Sequence, residues 1–146
     1  MKGIVKWVDS AMFVAKSGSG HSIVLDGTAE GGGQNSGMRP MELMALSVAS
    51  CSSYDVVTIL KKARQEIQSC EAEVEAKRVD SIPSVFESIH LRFKIAGFNL
   101  NKKQVKRAVE LSAEKYCSAS IMLKNSGVKV THDFEIINQS ISATSQ

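Results

Sequence analysis

The sequence predicts an α+β protein, and three observations support this fold class. Short β-leaning segments come first in the chain, one long apolar helical segment follows, and alternating segments and further helical segments precede a last strand. The predicted order is three strands, a long helix, two strands, two helices and one strand. This order favours antiparallel strands on either side of a buried helix.

The first forty residues predict three strands and a loop. Residues 2–8 and 12–16 are short β-leaning runs with a break between them, which predicts a hairpin, and residues 21–26 predict a third strand. Residues 27–40 contain five glycines in fourteen positions, which is typical of a loop. Because this loop has neither a GxGxxG nor a GKS or GKT sequence, it does not indicate nucleotide binding.

A long helix is predicted to begin at Pro40, a residue that suits the first helical turn, and to end near residue 63 or 64. Its apolar residues fall on nearly every face, which is typical of a helix that is buried all round. Small residues between them allow other elements to approach closely; they are Ala45, Ser47, Ala49, Ser50, Ser52 and Ser53.

The second half of the chain predicts a hairpin, two helices and a last strand. Residues 69–78 alternate in part and residues 83–97 alternate well between apolar and polar side chains. Asn101 is expected to cap a helix over residues 102–117, and a short helix follows until Gly127 ends it. Residues 128–137 predict the last strand. We therefore expect a single domain over residues 1–138 and a polar, disordered tail over residues 139–146.

Composition excludes several classes of function. The net charge is +3, from 18 Lys and Arg against 15 Asp and Glu, which is too mild to indicate nucleic-acid binding. The longest uncharged run in the helical part, residues 43–54, is shorter than the roughly 20 residues that span a bilayer, so no membrane partner is expected. The first ten residues lack the apolar region of a signal peptide. We expect a cytoplasmic protein, in which three cysteines do not form a structural disulfide framework.

The three cysteines differ in their local surroundings. Cys117 lies where one predicted helix ends and the next begins, so free backbone N–H groups are expected to stabilise its thiolate. Cys51 lies in the long apolar helix, and Asp55 one turn later opposes its ionisation if the carboxylate faces the thiol. Cys70 lies among acidic residues and is interpreted as a bystander.

Metal-binding patterns are absent from the sequence. No two of the Cys and His residues lie within ten positions of each other, so the usual C-x-x-C and H-x-x-x-H spacings do not occur. We therefore expect neither a metal nor a cofactor.

The two cysteine segments resemble the paired motifs of the OsmC/Ohr family. The segment RPMELMALSVASCSSYDVV resembles the central-helix motif, in which a loop proline precedes a helix that carries a cysteine. The segment AEKYCSASIML resembles the second motif, a cysteine followed by small residues and an apolar turn. The segments VKWV, SGHSIVLDG and CSSYDVVTIL are similar to the family's YhfA-like branch. The resemblance extends to about residue 138.

This resemblance implies an OsmC-like fold, in which antiparallel sheets wrap long central helices in an intertwined homodimer. It also implies a thiol peroxidase for organic, lipophilic hydroperoxides. Cys51 would attack the O–O bond and become a sulfenic acid, Cys117 would resolve it as a disulfide, and an external thiol or dithiol would reduce the pair. Met38, Met41 and Met44 are the candidate walls of a substrate-binding pocket.

One position departs from the family pattern. Many family peroxidases carry Glu directly after the motif's proline, paired with an Arg that activates the cysteine, whereas this chain has Met41 there. Glu42 is one place late and is interpreted as a carboxylate that stabilises the helix N-terminus. Arg39 is the candidate for the activating cation, and Arg92 is a second one. Without a cation, the pKa of Cys51 stays near or above its ordinary value.

Three hypotheses therefore remain from the sequence. The favoured one is a thiol-dependent organic hydroperoxide reductase. The second is a non-catalytic redox sensor, or a dimeric binder of a small apolar ligand, that retains the fold and the cysteine pair. In the third, both cysteines are inert.

Overall fold

The computed structural model describes residues 1–138, and the predicted tail, residues 139–146, lies outside them. The chain divides into two compact units, Met1–Met44 and a second unit that begins at Ala45. The N-terminal unit contains a three-stranded antiparallel sheet, ordered β1-β2-β3. Its strands are β1 (Gly3–Asp9), β2 (Met12–Ser17) and β3 (Ser22–Leu25). The predicted hairpin and third strand are confirmed.

The glycine-rich loop that follows β3 is held by a buried carboxylate. Asp26 is 2% exposed and accepts hydrogen bonds from the backbone N–H groups of Gly27, Gln34 and Ser36, at 2.8 to 3.0 Å. The bonds from Ser36 and Gln34 hold the pKa of Asp26 below its ordinary value. A Cβ at Gly33 would lie 2.1 Å from the Gly27 carbonyl oxygen, so only glycine fits there. Gly33 therefore serves the folding of the loop.

Helix α1 (Pro40–Lys62) begins in the N-terminal unit, at the predicted proline, and continues into the second unit. The Glu42 carboxylate accepts a hydrogen bond from the Arg39 backbone N–H at 2.8 Å, which is one half of a capping box. This bond lowers the pKa of Glu42. The interpretation of Glu42 as a carboxylate that stabilises the helix N-terminus is confirmed.

Within one chain α1 is buried along one stripe only, and its burial on the remaining faces in a homodimer stays a prediction. Its buried residues follow one stripe at helical spacing: Ala45, Val48, Ala49, Ser52, Val56 and Leu60. By contrast, Leu46 is 46% and Tyr54 is 74% exposed. By length and composition alone α1 could cross a membrane, but the core helices of soluble proteins have the same length and apolar composition. Its buried stripe is typical of a helix that packs in a protein core.

The second unit contains a three-stranded sheet ordered β4-β5-β6. Its strands are β4 (Glu66–Arg78), β5 (Phe86–Phe98) and β6 (Lys129–Asn138). The predicted hairpin of β4 and β5 is confirmed as an antiparallel pair. Strand β6 runs parallel to β5, which corrects the expectation of purely antiparallel sheets. The chain between β5 and β6 is a helical crossover, the kind of connection that a parallel pair requires.

The central strand β5 supplies much of the core of this unit. Ile89, Leu91, Phe93 and Ile95 are at most 2% exposed and point to one face because side chains alternate along a strand. The predicted alternation between apolar and polar side chains is confirmed for this strand.

The crossover consists of α2 (Lys102–Leu111), a π-helical turn (Ser112–Tyr116) and α3 (Ser118–Asn125). As predicted, the Asn101 side chain caps α2 by accepting from the N–H groups of Lys103 and Gln104. The sequence predicted one continuous helix as far as residue 117, whereas the α-helical pattern ends at Leu111. Gly127, at a φ of +93°, follows α3, in agreement with its predicted role as the end of that helix.

Candidate active site

The fold brings Cys51 and Cys117 together although 66 positions separate them in the sequence. Cys51 lies in the middle of α1, and Cys117 is the N-cap residue of α3. Their sulfur atoms and a carboxylate oxygen of Asp55 all lie within 4.8 Å of one another. Asp55 is one helical turn after Cys51, and residues four apart on a helix share a face. The site therefore consists of two thiols and one carboxylate.

The first turn of α3 donates backbone hydrogen bonds to both thiols. The Ser120 N–H donates to the Cys117 sulfur at 3.4 Å, and the Ala119 N–H donates to Cys51. These N–H groups have no partner inside the helix, and they carry the positive end of its dipole. The predicted assistance to Cys117 is confirmed, and the structure adds a similar bond to Cys51.

Three buried serines form a hydrogen-bonded cluster around Cys117. The Ser52 hydroxyl donates to the Cys117 sulfur at 3.1 Å and lies 3.2 Å from the Ser120 hydroxyl. The Ser112 hydroxyl donates to the Ser52 carbonyl oxygen at 3.1 Å, which joins the π-helical turn to α1. All three serines are at most 2% exposed. Because each of these hydroxyl groups has a partner, the cluster satisfies its buried polar atoms.

These hydrogen bonds determine the acidity of Cys117. Burial of the Cys117 thiol, which is 0% exposed, raises its pKa. Hydrogen bonds from the Ser120 and Ser52 hydroxyls, the Ser120 N–H and Cys51 outweigh this effect, so the pKa of Cys117 lies below its ordinary value. Donors of this kind stabilise a thiolate more than they stabilise a thiol.

Cys51 has the opposite shift. Burial raises its pKa, the Ala119 N–H lowers it, and the neighbouring Cys117 and Asp55 raise it further, so the pKa of Cys51 lies above its ordinary value. The prediction that the Asp55 carboxylate opposes ionisation of Cys51 is confirmed. In contrast to Cys117, Cys51 is only partly buried. The more accessible thiol of the pair is therefore the one that ionises less readily.

The Asp55 carboxylate is an unusual feature of the site. Its Oδ2 atom is buried and has no hydrogen-bond partner among the described residues, and burial raises the pKa of the carboxyl group. A buried polar atom without a partner is rare in folded proteins.

The remaining cysteine does not belong to this group. Cys70 lies in β4, where it is paired with Ile95 of β5. Burial raises the pKa of its thiol, which agrees with its interpretation as a bystander, although the cause is burial and not the nearby acidic residues.

The two candidate cations pair with carboxylates. The Arg39 guanidinium lies 3.1 Å from a carboxylate oxygen of Glu42 in the N-terminal unit. Arg92 lies 3.4 Å from Glu135 and 3.9 Å from Asp133 on the second sheet. The activating role of Arg39 stays a prediction.

The candidate pocket residues lie at the start of α1 or just before it. Met38, bridged to Leu25, and Met44 are exposed, and Met41 is partly buried. Their contribution to a substrate-binding pocket also stays a prediction.

Residues 33–133 match the OsmC-like protein family, and these residues include both cysteines of the site. The chain belongs to the OsmC-like protein family. The protein YhfA of Escherichia coli (strain K12) is 41% identical to this chain over 140 residues, which cover 94% of the chain and 98% of YhfA. This similarity places the chain in the YhfA-like branch.

Solved structures from other organisms have the same fold. A protein from Aquifex aeolicus VF5 is 30% identical and superposes with a TM-score of 0.78 over 94% of this chain and 97% of its own. The organic hydroperoxide resistance protein OhrB of Bacillus subtilis is 19% identical, with a TM-score of 0.61 over 92% of this chain and 96% of its own. At that identity, the likeness to OhrB shows the fold alone.

Sequence reasoning missed the serine cluster of this OsmC-like site. Ser52 was predicted only as a small residue that permits close packing, and no local pattern distinguishes a packed serine from one that donates to a sulfur. One signal was present, because Ser52 directly follows Cys51 and Ser120 is three residues after Cys117. An N-cap residue accepts a hydrogen bond from the second or third helical residue, so the Ser120 N–H was a predictable donor.

Proposed function

We propose that this protein reduces organic hydroperoxides with Cys51 and Cys117 as its thiol–disulfide pair. The proposal rests on one observation above all: the two sulfur atoms lie within 4.8 Å of each other, one partly buried and the other fully buried. An accessible thiol next to a shielded one suits a reaction in which the first thiol meets the substrate and the second closes a disulfide.

The proposed reaction has two steps in which atoms and electrons balance. The Cys51 thiolate attacks the terminal oxygen of the hydroperoxide, the O–O bond breaks, and the alkoxide takes a proton to leave as an alcohol. Cys51 is then a sulfenic acid, oxidised by two electrons. The Cys117 thiolate attacks this sulfur, and the hydroxide that leaves takes a proton to become water. A dithiol reductant, itself oxidised by two electrons, restores both thiols.

The pKa shifts of the two thiols support Cys117 as the thiol that attacks in the second step. The pKa of Cys117 is lowered, so its thiolate is available to attack the sulfenic acid. The pKa of Cys51 is raised, so the first step is slower at neutral pH than with an activated cysteine. We therefore expect the first step to limit the overall rate.

The substrate class and the cellular setting belong to the same proposal. Solved structures with this fold include proteins described as organic hydroperoxide resistance proteins, among them OhrB of Bacillus subtilis, and this supports the proposal of an organic substrate and a role in the response to oxidative stress. Met38, Met41 and Met44 would supply apolar contacts to it. A cytoplasmic location would provide the thiol reductant, because that compartment keeps thiols reduced.

A homodimer completes the proposal. Strand β1 is exposed along its whole length, and its apolar side chains Ile4, Val5, Trp7 and Val8 are each at least 52% exposed. Leu46 and Tyr54 on α1 are exposed as well. Exposed apolar side chains of this kind mark an interaction surface, and a second copy of this chain is the occupant that we propose.

The test is a thiol count on the reduced protein before and after one equivalent of cumene hydroperoxide, followed by mass spectrometry of the peptides. The proposal expects loss of two thiols, a Cys51–Cys117 disulfide and repeated cycles with a dithiol. Cys51→Ser should remove the reaction, Cys117→Ser should leave a trappable sulfenic acid at Cys51, and Cys70→Ser should react like the wild type. Survival of all three thiols, or a disulfide that includes Cys70, would refute the proposal.

One observation favours a second candidate function, a redox sensor that oxidises without rapid turnover. The raised pKa of Cys51 slows its attack on peroxide, while the paired thiols remain able to form a disulfide. The two functions differ in the cumene hydroperoxide experiment. A sensor forms the Cys51–Cys117 disulfide once, and added dithiol does not sustain consumption of peroxide.

A further inference from the structure

Cys51, Asp55 and Cys117 together present a set of metal-binding atoms that the proposed peroxide chemistry does not require. Two sulfur atoms and one carboxylate oxygen lie within 4.8 Å of one another. The ligands of a tetrahedral zinc ion lie at about 2.0 to 2.3 Å from the metal, so neighbouring ligands are separated by less than 4 Å. Only small side-chain movements separate the observed arrangement from such a site.

We infer that Cys51, Asp55 and Cys117 form a reversible binding site for a thiophilic divalent cation, with Zn²⁺ as the best match. Thiolate sulfur selects zinc over magnesium or calcium, and carboxylate oxygen completes many zinc sites. The three residues provide three ligands, and water fills the fourth position. On binding, the thiols release their protons to solvent.

The unpartnered oxygen of Asp55 is the second observation that supports this site. Asp55 Oδ2 is buried and has no hydrogen-bond partner among residues 1–138. Leaving a buried carboxylate oxygen unsatisfied is costly. One oxygen of this carboxylate lies within 4.8 Å of both sulfurs, so a cation held there would offset that cost. Asp55 is therefore explained as a ligand, a role that the reaction of the two cysteines does not assign to it.

The surroundings of the three residues suit a metal site. The Ser52 hydroxyl and the Ser120 N–H donate to the Cys117 sulfur, and the Ala119 N–H donates to Cys51. Outer hydrogen bonds of this kind orient metal ligands and tune their donor strength. The sequence could not reveal the site by Cys and His spacing, because its third ligand is an aspartate four residues after Cys51.

Zinc at this site would protect the thiol pair, because both sulfur atoms would be engaged with the metal. The inference does not rest on peroxide reduction, since the reduced protein alone presents the three ligands. A protein without peroxidase activity could still bind zinc here, and a protein that does not bind zinc here could still reduce peroxides.

The first test is a zinc titration of the reduced, full-length protein in competition with a chromogenic chelator. One Zn²⁺ per chain is expected. Cys51→Ser, Cys117→Ser and Asp55→Asn should each weaken zinc binding at least about tenfold. Replacement of a residue that only contacts a metal ligand already weakens binding by about this factor. Cys70→Ser should bind like the wild type. Asp133→Asn should also bind zinc like the wild type. This variant tests whether the exposed His90–Asp133 pair contributes to zinc binding.

A cobalt spectrum identifies the ligands directly. Reduced protein with Co²⁺ should show a near-ultraviolet sulfur-to-metal charge-transfer band, weaker in each single cysteine variant and absent in the double variant Cys51→Ser, Cys117→Ser. Retention of the band in the double variant would overturn the inference. The same conclusion would follow from an unchanged zinc affinity in Asp55→Asn, or from failure of the wild type to bind zinc in competition with the chelator.

A protection experiment on the wild type avoids the risk that a variant does not fold. The reduced protein is alkylated with and without Zn²⁺, and mass spectrometry follows each cysteine. Zinc should slow the alkylation of Cys51 and leave that of Cys70 unchanged. Equal rates for Cys51 with and without zinc would overturn the inference.

Discussion

Replacement of Asp55 by asparagine should make Cys51 more reactive. Asp55 and the Cys51 sulfur lie within 4.8 Å of each other, and the carboxylate is one of the groups that raise the pKa of Cys51. Asparagine has nearly the same shape and no charge. The variant therefore removes the repulsion between the carboxylate and the thiolate while it keeps the packing of α1.

The size of the effect follows from Coulomb's law. Two unit charges at the 4.8 Å limit repel by about 0.9 kcal/mol at the dielectric constant of water, and by more in a protein environment. This corresponds to about fourfold more thiolate at a fixed pH below the pKa. A less basic thiolate is also less nucleophilic, which cancels roughly half of the gain on a logarithmic scale. The alkylation rate of Cys51 should therefore rise at least about twofold.

The assay is iodoacetamide alkylation at pH 7.5 with a metal chelator present, with mass spectrometry to separate Cys51 from the other cysteines. The pH of half-maximal reaction should also move downward in Asp55→Asn. Asp80→Asn, an exposed change in the turn after β4, serves as the matched control and should leave the Cys51 rate unchanged. An unchanged or slower rate in Asp55→Asn would show that the carboxylate does not act on Cys51 through its charge.

Three further predictions concern stability and pH dependence. Asp55→Asn should raise the free energy of unfolding at neutral pH, because burial raises the pKa of Asp55 above 3.8. The wild type loses stability as the pH rises through that folded-state pKa. The extra stability of Asp55→Asn, measured by urea titration, should therefore vanish below about pH 4. Cys117→Ala should lower the free energy of unfolding by about 0.5 to 2 kcal/mol through loss of the α3 cap, and Cys117→Ser should retain most of it. The rate of hydroperoxide reduction should increase through and above pH 9, because the pKa of Cys51 is raised above 9.0; a rate that is flat above pH 7 would contradict the shift.

Most helices and strands were predictable because the local sequence signals agree with the observed burial. Pro40 starts α1, Asn101 caps α2, and the alternation of β5 matches its buried face. The parallel pairing of β6 with β5 was not predictable from β6 itself, since an alternating strand pairs equally well in either direction. The end of α2 was missed because residues 112–116 keep a helical composition while the chain adopts a π-helical turn.

The candidate site was predictable only where it depends on local chain geometry. The N-terminus of α3 follows from the helix boundary near residue 118, so its effect on Cys117 could be foreseen. The contact of Ser52 with Cys117 joins residues 65 positions apart, and it requires the packing of α1 on the crossover. Asp55 was recognised as a charge near Cys51, but its unpartnered oxygen depends on what surrounds it in three dimensions.

The opposite shifts of the two thiols have a consequence for the proposed reaction. The serine cluster and the first turn of α3 stabilise negative charge mainly at Cys117, the shielded thiol, whereas Asp55 disfavours it at Cys51. A thiolate at Cys117 cannot speed the attack on peroxide, but it can speed the attack on a sulfenic acid at Cys51. An oxidised Cys51 would then be converted to a disulfide before a second peroxide oxidises it irreversibly. The arrangement would therefore favour rapid conversion of a sulfenic acid to a disulfide over a rapid attack on peroxide.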